Sequence, residues 1–309
     1  MILTVTIAPT FDLTYTIPVV VEHSVNRVES TLIEASGKGI NVSRALADMG
    51  FATVAIAPVP DTSLGDYWVD LLKQYFSVRR SRTTHPVRIH TSIVDQLAVT
   101  KLNEIAPELT DDEVGDLVDA IREEAEQRKP SWIVLAGSLH SKNAPRIGTE
   151  VADIARKSGA KLAVDSSGAA MMELIKAKPD FVKPNLDELL EIYPNMELSS
   201  NAHIAHVRKL ALEIDGIVLC TNGGNIAYAT DKRDLLEIVP PTFAGANSVG
   251  AGDAALAGYL AAESSGSDFA TSIQTAMSWA SAACHNAGTA GLRSAVGAGV
   301  SAKIRALAL

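Results

Sequence analysis

The sequence predicts an α/β fold in which a doubly wound, mainly parallel sheet is flanked by helices. Apolar runs typical of strands alternate with helical patterns, and several runs are continuously apolar, as in strands covered on both faces. These runs span residues 3–8, 131–138, 161–167, 181–185 and 216–222. Because ligands of such sheets bind at the carboxyl ends of the strands, we expect the ligand site at that edge.

The strongest helix signal begins at Thr110. Thr110 and Glu113 have the spacing of a capping box, and Val114, Leu117 and Ile121 then recur on one face, which predicts an amphipathic helix. No repeat, low-complexity tract or Pro/Ser-rich linker interrupts the alternation of strands and helices. We therefore expect one α/β domain over residues 1–309.

Two stretches, 14–34 and 87–103, break this alternation because they hold paired strand patterns with no helix between them. The second predicts a hairpin, with VRIHTSIVD and AVTKLNE on either side of a short turn. Small strands that project from an α/β core can form a lid that excludes water during a transfer reaction. The alternative is an ordinary extension at the sheet edge, and the pattern favours neither.

Composition and charge narrow the classes of ligand. The 309 residues are 47% apolar and 20% charged, as in globular proteins, and the net charge of −9 argues against a nucleic-acid or anionic-membrane binder. An anionic ligand would therefore need a few local cations. Cys220 and Cys284 lack the spacing of a disulfide framework or a zinc site. With no leader pattern and no run near the roughly 20 apolar residues of a membrane helix, we expect a cytoplasmic protein.

A glycine-rich turn opens the predicted helix within residues 36–50. Gly37 and Gly39 would let a ligand approach the backbone, and Lys38 and Asn41 would offer polar contacts. The turn has neither the spacing of a phosphate-binding GxxxxGK[ST] loop nor that of a dinucleotide GxGxxG fingerprint. Alone it is a weak signal, because such turns also serve packing.

Two further turns follow predicted strands. TNGGN, residues 221–225, could bind phosphates through Thr221 and backbone amides, but Asn-Gly-Gly is also a common hairpin turn. In KPNLDEL, residues 183–189, the acids suit a helix N-terminus. Asn185 and Glu188 could instead organise Mg²⁺ through water.

A last turn, Gly250-Ala251-Gly252-Asp253, opens an Ala- and Leu-rich helix. The turn predicts either a plain helix N-terminus, at which an acid is favoured by the helix dipole, or a catalytic base beside an anion site. The turn alone leaves both open.

Together these turns resemble the phosphofructokinase-B family of ribokinase-like carbohydrate kinases. The residues that carry the resemblance are Gly37-Lys38-Gly39-Ile40-Asn41, Lys183-Pro184-Asn185 with Glu188-Leu189, and Gly250-Ala251-Gly252-Asp253. Their order and spacing fit the family along essentially the whole chain. The resemblance is closest to the branch that acts on sugar phosphates, which is also matched at 8–12, 136–139 and 164–168.

The resemblance implies a ribokinase-like fold with a lid of strands, ATP- and Mg²⁺-dependent phosphorylation of a sugar hydroxyl, and a homodimer formed through the lid. It implies that Asp253 is the general base, and that the amides of Gly250, Ala251 and Gly252 form an anion hole for the transferred phosphoryl group. The ligands implied are small molecules, and neither nucleic acid nor a membrane is among them.

The remaining site residues are carried over position by position. The implied sugar contacts are Asp12, Gly37, Lys38, Asn41 and Ser138, with Arg27 and Arg88 of the lid strands for the sugar phosphate. The implied nucleotide contacts are Lys183, Asn185, Thr221, Gly223, Gly224, Asn225, Gly252 and Asn286, and those for Mg²⁺ are Asn185 and Glu188. Arginine forks suit phosphate, although exposed strand arginines are the alternative explanation of Arg27 and Arg88.

The sequence departs from the family at His140-Ser141-Lys142, at 103–107, at Ala254 and at Ile226. The first two departures border the sugar-phosphate pocket. We therefore predict phosphorylation of fructose 1-phosphate to fructose 1,6-bisphosphate, with tagatose 6-phosphate or fructose 6-phosphate as alternative substrates. An alternative of another class is a sugar-phosphate-binding regulatory protein without turnover. A nucleotide-dependent dehydrogenase is disfavoured because its fingerprint is absent.

Overall fold

The computed structural model describes residues 1–241, 250–285, 292 and 302–307. In this part of the chain the strands are β1 Ile2–Thr6, β2 Thr10–Thr16, β3 Ser30–Ser36, β4 Thr53–Pro58, β5 Ser77–Ser81, β6 Arg88–Val94, β7 Val99–Asn103, β8 Trp132–Ala136, β9 Lys161–Asp165, β10 Phe181–Val182, β11 Ile217–Cys220, β12 Ala227–Thr230, β13 Leu235–Val239 and β14 Lys303–Leu307. The helices are α1 Lys38–Asp48, α2 Ser63–Asp70, α3 Asp111–Arg128, α4 Ala144–Ser158, α5 Gly168–Leu174, α6 Leu186–Ile192, α7 Ser200–Ile214, α8 Ala251–Ser264 and α9 Phe269–His285.

The larger sheet has ten strands in the order β14-β13-β12-β11-β10-β9-β8-β1-β4-β5. From β5 to β11 neighbouring strands are parallel, and β12, β13 and β14 add an antiparallel edge. The prediction of a doubly wound, mainly parallel sheet is confirmed, and each of the five apolar runs overlaps a strand. The strand order reverses beside β1, where such sheets open a crevice at the carboxyl ends of the strands.

Helices cover both faces of this sheet, because its parallel strands are apolar on both sides. Leu3 and Val5 of β1 belong to one buried cluster, which includes apolar residues of α3, α4 and α7. Ile2 belongs to a second cluster, with residues of α1, α8 and α9. Alternation of side chains along β1 thus divides the core into two layers.

A second sheet of four strands, in the order β3-β2-β6-β7, is the structure that the 14–34 and 87–103 patterns form. We call it the lid sheet. Its β6–β7 pair is the antiparallel hairpin that the sequence predicts, and β2 pairs in parallel with β6. Register places Thr10 beside Arg88 and Asp12 beside His90, so one face of the lid sheet is polar. The opposite face begins with Phe11, which is buried.

The long helix α8 is fixed at its C-terminal end by Glu263. This carboxylate accepts a hydrogen bond from Trp132 Nε1 at 2.8 Å and forms an ion pair with Lys161. Near the middle of α8, Tyr259 stacks on Phe181 with ring centroids 4.3 Å apart. Both contacts join α8 to strands of the sheet, so they fix the direction in which the first turn of α8 points.

Glu113 fixes the segment of the chain that leads into strand β6 of the lid sheet. The predicted capping box is present, since Thr110 Oγ1 accepts from the Glu113 amide and the Glu113 carboxylate accepts from the Thr110 amide. The second carboxylate oxygen accepts from the hydroxyls of Thr83 and Thr84 and from the Thr84 amide, at 2.7 to 3.1 Å. Burial alone would raise the pKa of Glu113, but these donors lower it to about 2.

In the described residues, no helix is both long and apolar enough to cross a membrane.

We expect Glu113→Gln to remove a stabilisation that depends on pH. Because the folded-state pKa lies below the ordinary value of 4.5, this stabilisation is present above pH 4.5 and is lost as the pH falls towards 2. Between pH 7 and 3.5 the wild-type free energy of unfolding should fall by about 1 kcal/mol more than that of Glu113→Gln. Urea denaturation at both pH values measures the difference. Glu126→Gln, an exposed change on the same helix, is the control and should behave as the wild type.

Candidate active site

A cavity of about 600 Å³ lies at the carboxyl ends of β9, β10 and β11, in front of the first turn of α8. One end of the cavity is polar and the other is apolar. The polar lining is Lys38, Asp165, Lys183, Asn185, Glu188, Thr221 and Asp253, and the glycine turns contribute Gly223, Gly224, Gly250, Ala251 and Gly252. The apolar end includes Pro240, Pro241, Met277, Ala280 and Cys284.

Asp253 lies in the first turn of α8 but does not cap the helix. The N-cap residue is Gly250, whose φ of 77° is in the left-handed region that favours glycine and which has no side chain to cap the helix. The Asp253 carboxylate is buried and accepts a hydrogen bond from Asn41 Nδ2 at 2.8 Å. Asn41 in turn accepts from the Ser36 hydroxyl at 3.3 Å, so this contact continues to the end of a lid strand.

Burial and the nearby charge of Asp165 raise the pKa of Asp253 to about 6, against the opposing effects of Lys38, Lys183 and the Asn41 hydrogen bond. At pH 7 the carboxylate is therefore mostly ionised, yet it holds a proton more readily than an exposed aspartate. These are the properties required of a general base at neutral pH.

Asp165, at the end of β9, is fully buried and pairs with two lysines. Lys38 Nζ lies 2.7 Å from Oδ1, and Lys183 Nζ lies 3.0 Å from Oδ2. Burial would raise the pKa of Asp165, but the charges of Lys183 and Lys38 outweigh it and the pKa is lowered. Burial likewise disfavours the Lys38 ammonium, and the charges of Asp165 and Glu188 more than reverse this, so its pKa is raised.

The glycines of the site serve two different purposes. A Cβ on Gly37 or Gly39 would lie 2.5 or 2.4 Å from side-chain atoms of Thr6, so both glycines are required by packing of α1 against β1. Gly223 and Gly224 have open space where a Cβ would stand. In these two positions, the absence of a side chain leaves room in the cavity for a ligand.

The TNGGN segment is a hairpin turn, and its first residues also line the cavity. Strands β11 and β12 on either side of it are antiparallel. Thr221 is held by backbone hydrogen bonds, since its amide donates to Pro184 O and its carbonyl accepts from the Leu186 amide. Asn225 faces elsewhere: it lines a neighbouring cavity of about 530 Å³ that also includes Tyr228.

Asn185 and Glu188 form the capping box of α6. Asn185 Oδ1 accepts from the Glu188 amide and Glu188 Oε2 accepts from the Asn185 amide, both at 2.8 Å. The other oxygen, Glu188 Oε1, lies 3.6 Å from Lys38 Nζ. The described residues contain no group of three or more His, Cys, Asp or Glu side chains arranged for a metal ion. Asn185 and Glu188 carry oxygen donors, which suit contact with Mg²⁺ through water.

The predicted sugar-phosphate residues lie in different environments. Arg88 is buried, and its guanidinium donates to the carbonyls of Ala8 and Glu104, while Nε has no partner among the described residues. It is therefore not an exposed strand arginine. Arg27 is exposed and lies in the loop between β2 and β3, which corrects its assignment to a lid strand.

Asp12 lies on the polar face of the lid sheet, 3.8 Å from His90 Nδ1, and accepts from the Thr10 hydroxyl. Ser138, which follows β8, is exposed. Asn286 lies outside the described residues.

Asp165 is the charged residue of the described cavity lining to which the sequence analysis gave no role. It stood only within the matched segment 164–168. The sequence did contain a signal for Asp165, since it is a carboxylate at the last position of an apolar strand. A carboxylate in this position is expected to be buried at the edge of the sheet where ligands bind, and a buried carboxylate needs a cation or a hydrogen-bond donor beside it.

Comparison with known proteins places this chain in a family. The pfkB family carbohydrate kinase model matches residues 7–295. This chain belongs to the pfkB family of carbohydrate kinases. A 1-phosphofructokinase of Rhodobacter capsulatus is 33% identical over an alignment of 284 residues, which covers 89% of this chain and 87% of that protein.

Solved structures agree with this family at the level of the fold. The tetrameric inhibited form of phosphofructokinase-2 from Escherichia coli superposes with a TM-score of 0.85 at 21% identity, over 96% of this chain and 97% of that one. The same enzyme in complex with fructose 6-phosphate gives 0.79 at 24% identity, with the same coverage of the two chains. The pfkB kinase described here therefore has the ribokinase-like fold that its motifs imply.

We expect the two kinds of glycine in this kinase to respond differently to alanine. Gly39→Ala should lower the free energy of unfolding by about 1 to 3 kcal/mol, because the new Cβ meets Thr6 and the backbone of Val5. Gly224→Ala should leave stability within about 0.5 kcal/mol of the wild type, since open space surrounds it. Thermal and urea denaturation of both variants measure this contrast, and equal stability losses would contradict it.

Proposed function

We propose that this kinase transfers a phosphoryl group from ATP to a hydroxyl of a ketose phosphate, with fructose 1-phosphate as substrate and fructose 1,6-bisphosphate as product. The observation that carries the proposal is the buried Asp253 carboxylate, held by Asn41 at the N-terminus of α8 and facing a cavity that contains two lysines. The name of the Rhodobacter capsulatus relative supports fructose 1-phosphate among the ketose phosphates.

Asp253 is the proposed general base. Its carboxylate accepts the proton of the attacking hydroxyl, and the Asn41 hydrogen bond orients the oxygen that does not take the proton. The amides of Gly250, Ala251 and Gly252 lie at the positive end of the α8 dipole. They stabilise the charge that develops on the phosphoryl group, and ATP supplies that group when bound.

The cavity has the chemical character of a nucleotide site. Its apolar end suits a nucleobase, while Lys183, Thr221 and the open backbone at Gly223 and Gly224 suit phosphates. A Cβ on Gly252 would lie 3.2 Å from Lys183 Nζ, so the lysine stands directly beside the helix turn. Mg²⁺ would contact Asn185 and Glu188 through water, with phosphate oxygens among its direct ligands.

The sugar phosphate is proposed to bind under the polar face of the lid sheet. Asp12 on that face would bind sugar hydroxyls together with Lys38 and Asn41, and Arg88 would bind the phosphate through its remaining donors. Asn41 joins the two regions because it contacts both Ser36 of the lid sheet and Asp253.

A coupled assay of ADP release tests the function. Fructose 1-phosphate, tagatose 6-phosphate, fructose 6-phosphate and free sugars are compared at saturating ATP and Mg²⁺. We expect turnover to be highest with fructose 1-phosphate and to fall by about 10²- to 10⁴-fold in Asp253→Asn, the usual contribution of a general base. Asp187→Asn, an exposed carboxylate in the first turn of α6, is the control and should retain wild-type turnover.

Each other outcome of this assay has a definite meaning. Turnover with free sugars but with no phosphorylated sugar would contradict the substrate class. Thermal stabilisation by sugar phosphates without ADP release would instead favour a regulatory binding protein.

We further propose that two copies of the chain associate through the lid sheets. Ile33, Ile89 and Leu102 lie on the face opposite Asp12, and each is at least 40% exposed. Burying such a row against a second copy would remove it from water. Ile33→Asp should then halve the mass found by light scattering, whereas Leu64→Asp, at an exposed site of α2, should not. Equal masses for wild type and Ile33→Asp would contradict the pairing.

A further inference from the structure

The buried carboxylate of Asp165 holds the two cations of the cavity in place. Lys38 begins α1 and Lys183 follows β10, so the two ammonium groups come from elements that are distant in sequence. They meet on opposite oxygens of one carboxylate, at 2.7 and 3.0 Å. Lys183 Nζ is also beside Gly252, which places this cluster next to the first turn of α8.

Four groups act on Asp253 from the elements packed around it. Lys38 and Asn41 approach from α1, Asp165 from the end of β9 and Lys183 from the end of β10. The negative charge of Asp165 favours the protonated form of Asp253. The two lysines and the Asn41 donor favour the ionised form.

We infer that Asp165 is a positioning residue of the phosphoryl transfer: its carboxylate holds the ammonium groups of Lys38 and Lys183 beside the proposed base and the first turn of α8. Its charge also maintains the basicity of Asp253, since it offsets the two lysines that Asp253 faces. The positioning role in phosphoryl transfer, which is the catalytic part of the inference, rests on the proposed function. The electrostatic part concerns the protein without ligands.

Asp165→Asn and Asp165→Glu separate the two parts. The amide keeps the size of the side chain but removes its charge, whereas the longer glutamate keeps the charge but displaces it. Asn41→Leu provides a change of opposite sign, because it removes a donor that favours the ionised Asp253. Lys183→Met removes one of the positioned cations and leaves Asp165 in place.

The first readout is a ¹³C-carboxyl titration of Asp253 in the ligand-free protein, assigned with Asp253→Asn. The wild-type midpoint should be about 6. We expect a lower midpoint in Asp165→Asn, a midpoint near that of the wild type in Asp165→Glu, and higher midpoints in Asn41→Leu and Lys183→Met. An unchanged midpoint in folded Asp165→Asn would overturn the electrostatic part.

The second readout is kcat with the sugar that the ADP-release assay identifies. Both Asp165 variants should lose about 100-fold in kcat, because misplacement of a catalytic group by about 1 Å has an effect of this size. Full activity of Asp165→Glu would overturn the positioning role. If Asp165→Asn does not fold, the inference is tested with Lys183→Met. An unchanged kcat together with an unchanged Asp253 midpoint in Lys183→Met would contradict the inference.

The two proposals can fail separately. If no sugar phosphate is phosphorylated but the midpoints move as expected, the proposed function is wrong and the electrostatic role of Asp165 stands. If turnover is found but the midpoints do not move, the proposed function stands and the electrostatic role is wrong.

Discussion

The candidate site depends on the balance of charge among two buried carboxylates and two lysines. Asp165 and Asp253 are both removed from water, which is unfavourable for ionised groups unless they are paired. Lys38 and Lys183 pair with Asp165, whereas within the described part of the chain the side-chain donor to Asp253 is Asn41 alone. Both oxygens of Asp165 lie against ammonium groups, whereas Asp253 forms no ion pair with a described residue. Asp253 is therefore the carboxylate whose pKa is raised and which takes up a proton more readily.

This arrangement requires that α8 be held firmly against the sheet. Glu263 joins its last turn to Trp132 and Lys161, and Tyr259 stacks on Phe181 at the level of β10. Gly258 allows close packing on α9, since a Cβ there would lie 3.0 Å from the carbonyl of Thr275. The Ala-rich sequence of α8 is thus explained by close packing on both sides, and this packing fixes where Asp253 points.

Most of the fold could be predicted from the sequence, because its signals are local. Continuous apolar runs identified five parallel strands, and the Thr110–Glu113 spacing identified a capping box. The pairing of Asp165 with Lys38 and Lys183 could not be predicted in this way, since it joins residues far apart in sequence. Two other features also depend on residues distant in sequence. Position 39 must be glycine because a side chain there would meet Thr6, and Arg88 can be buried because the carbonyls of Ala8 and Glu104 accept its hydrogen bonds.

The departures from the family pattern at 103–107 and 140–142 make contacts of their own in the structure. Lys142 pairs with Glu108 at 2.9 Å, and the Glu104 carboxylate accepts from the Ile89 amide while its carbonyl accepts from Arg88. These contacts hold the exit of the β6–β7 hairpin against β6 and against the segment that follows β8. The 103–107 segment therefore contacts Arg88, the proposed phosphate ligand, through Glu104, while the turn that carries Asp253 lies outside both segments. A change in these segments can thus alter the proposed phosphate site without any change at the proposed base.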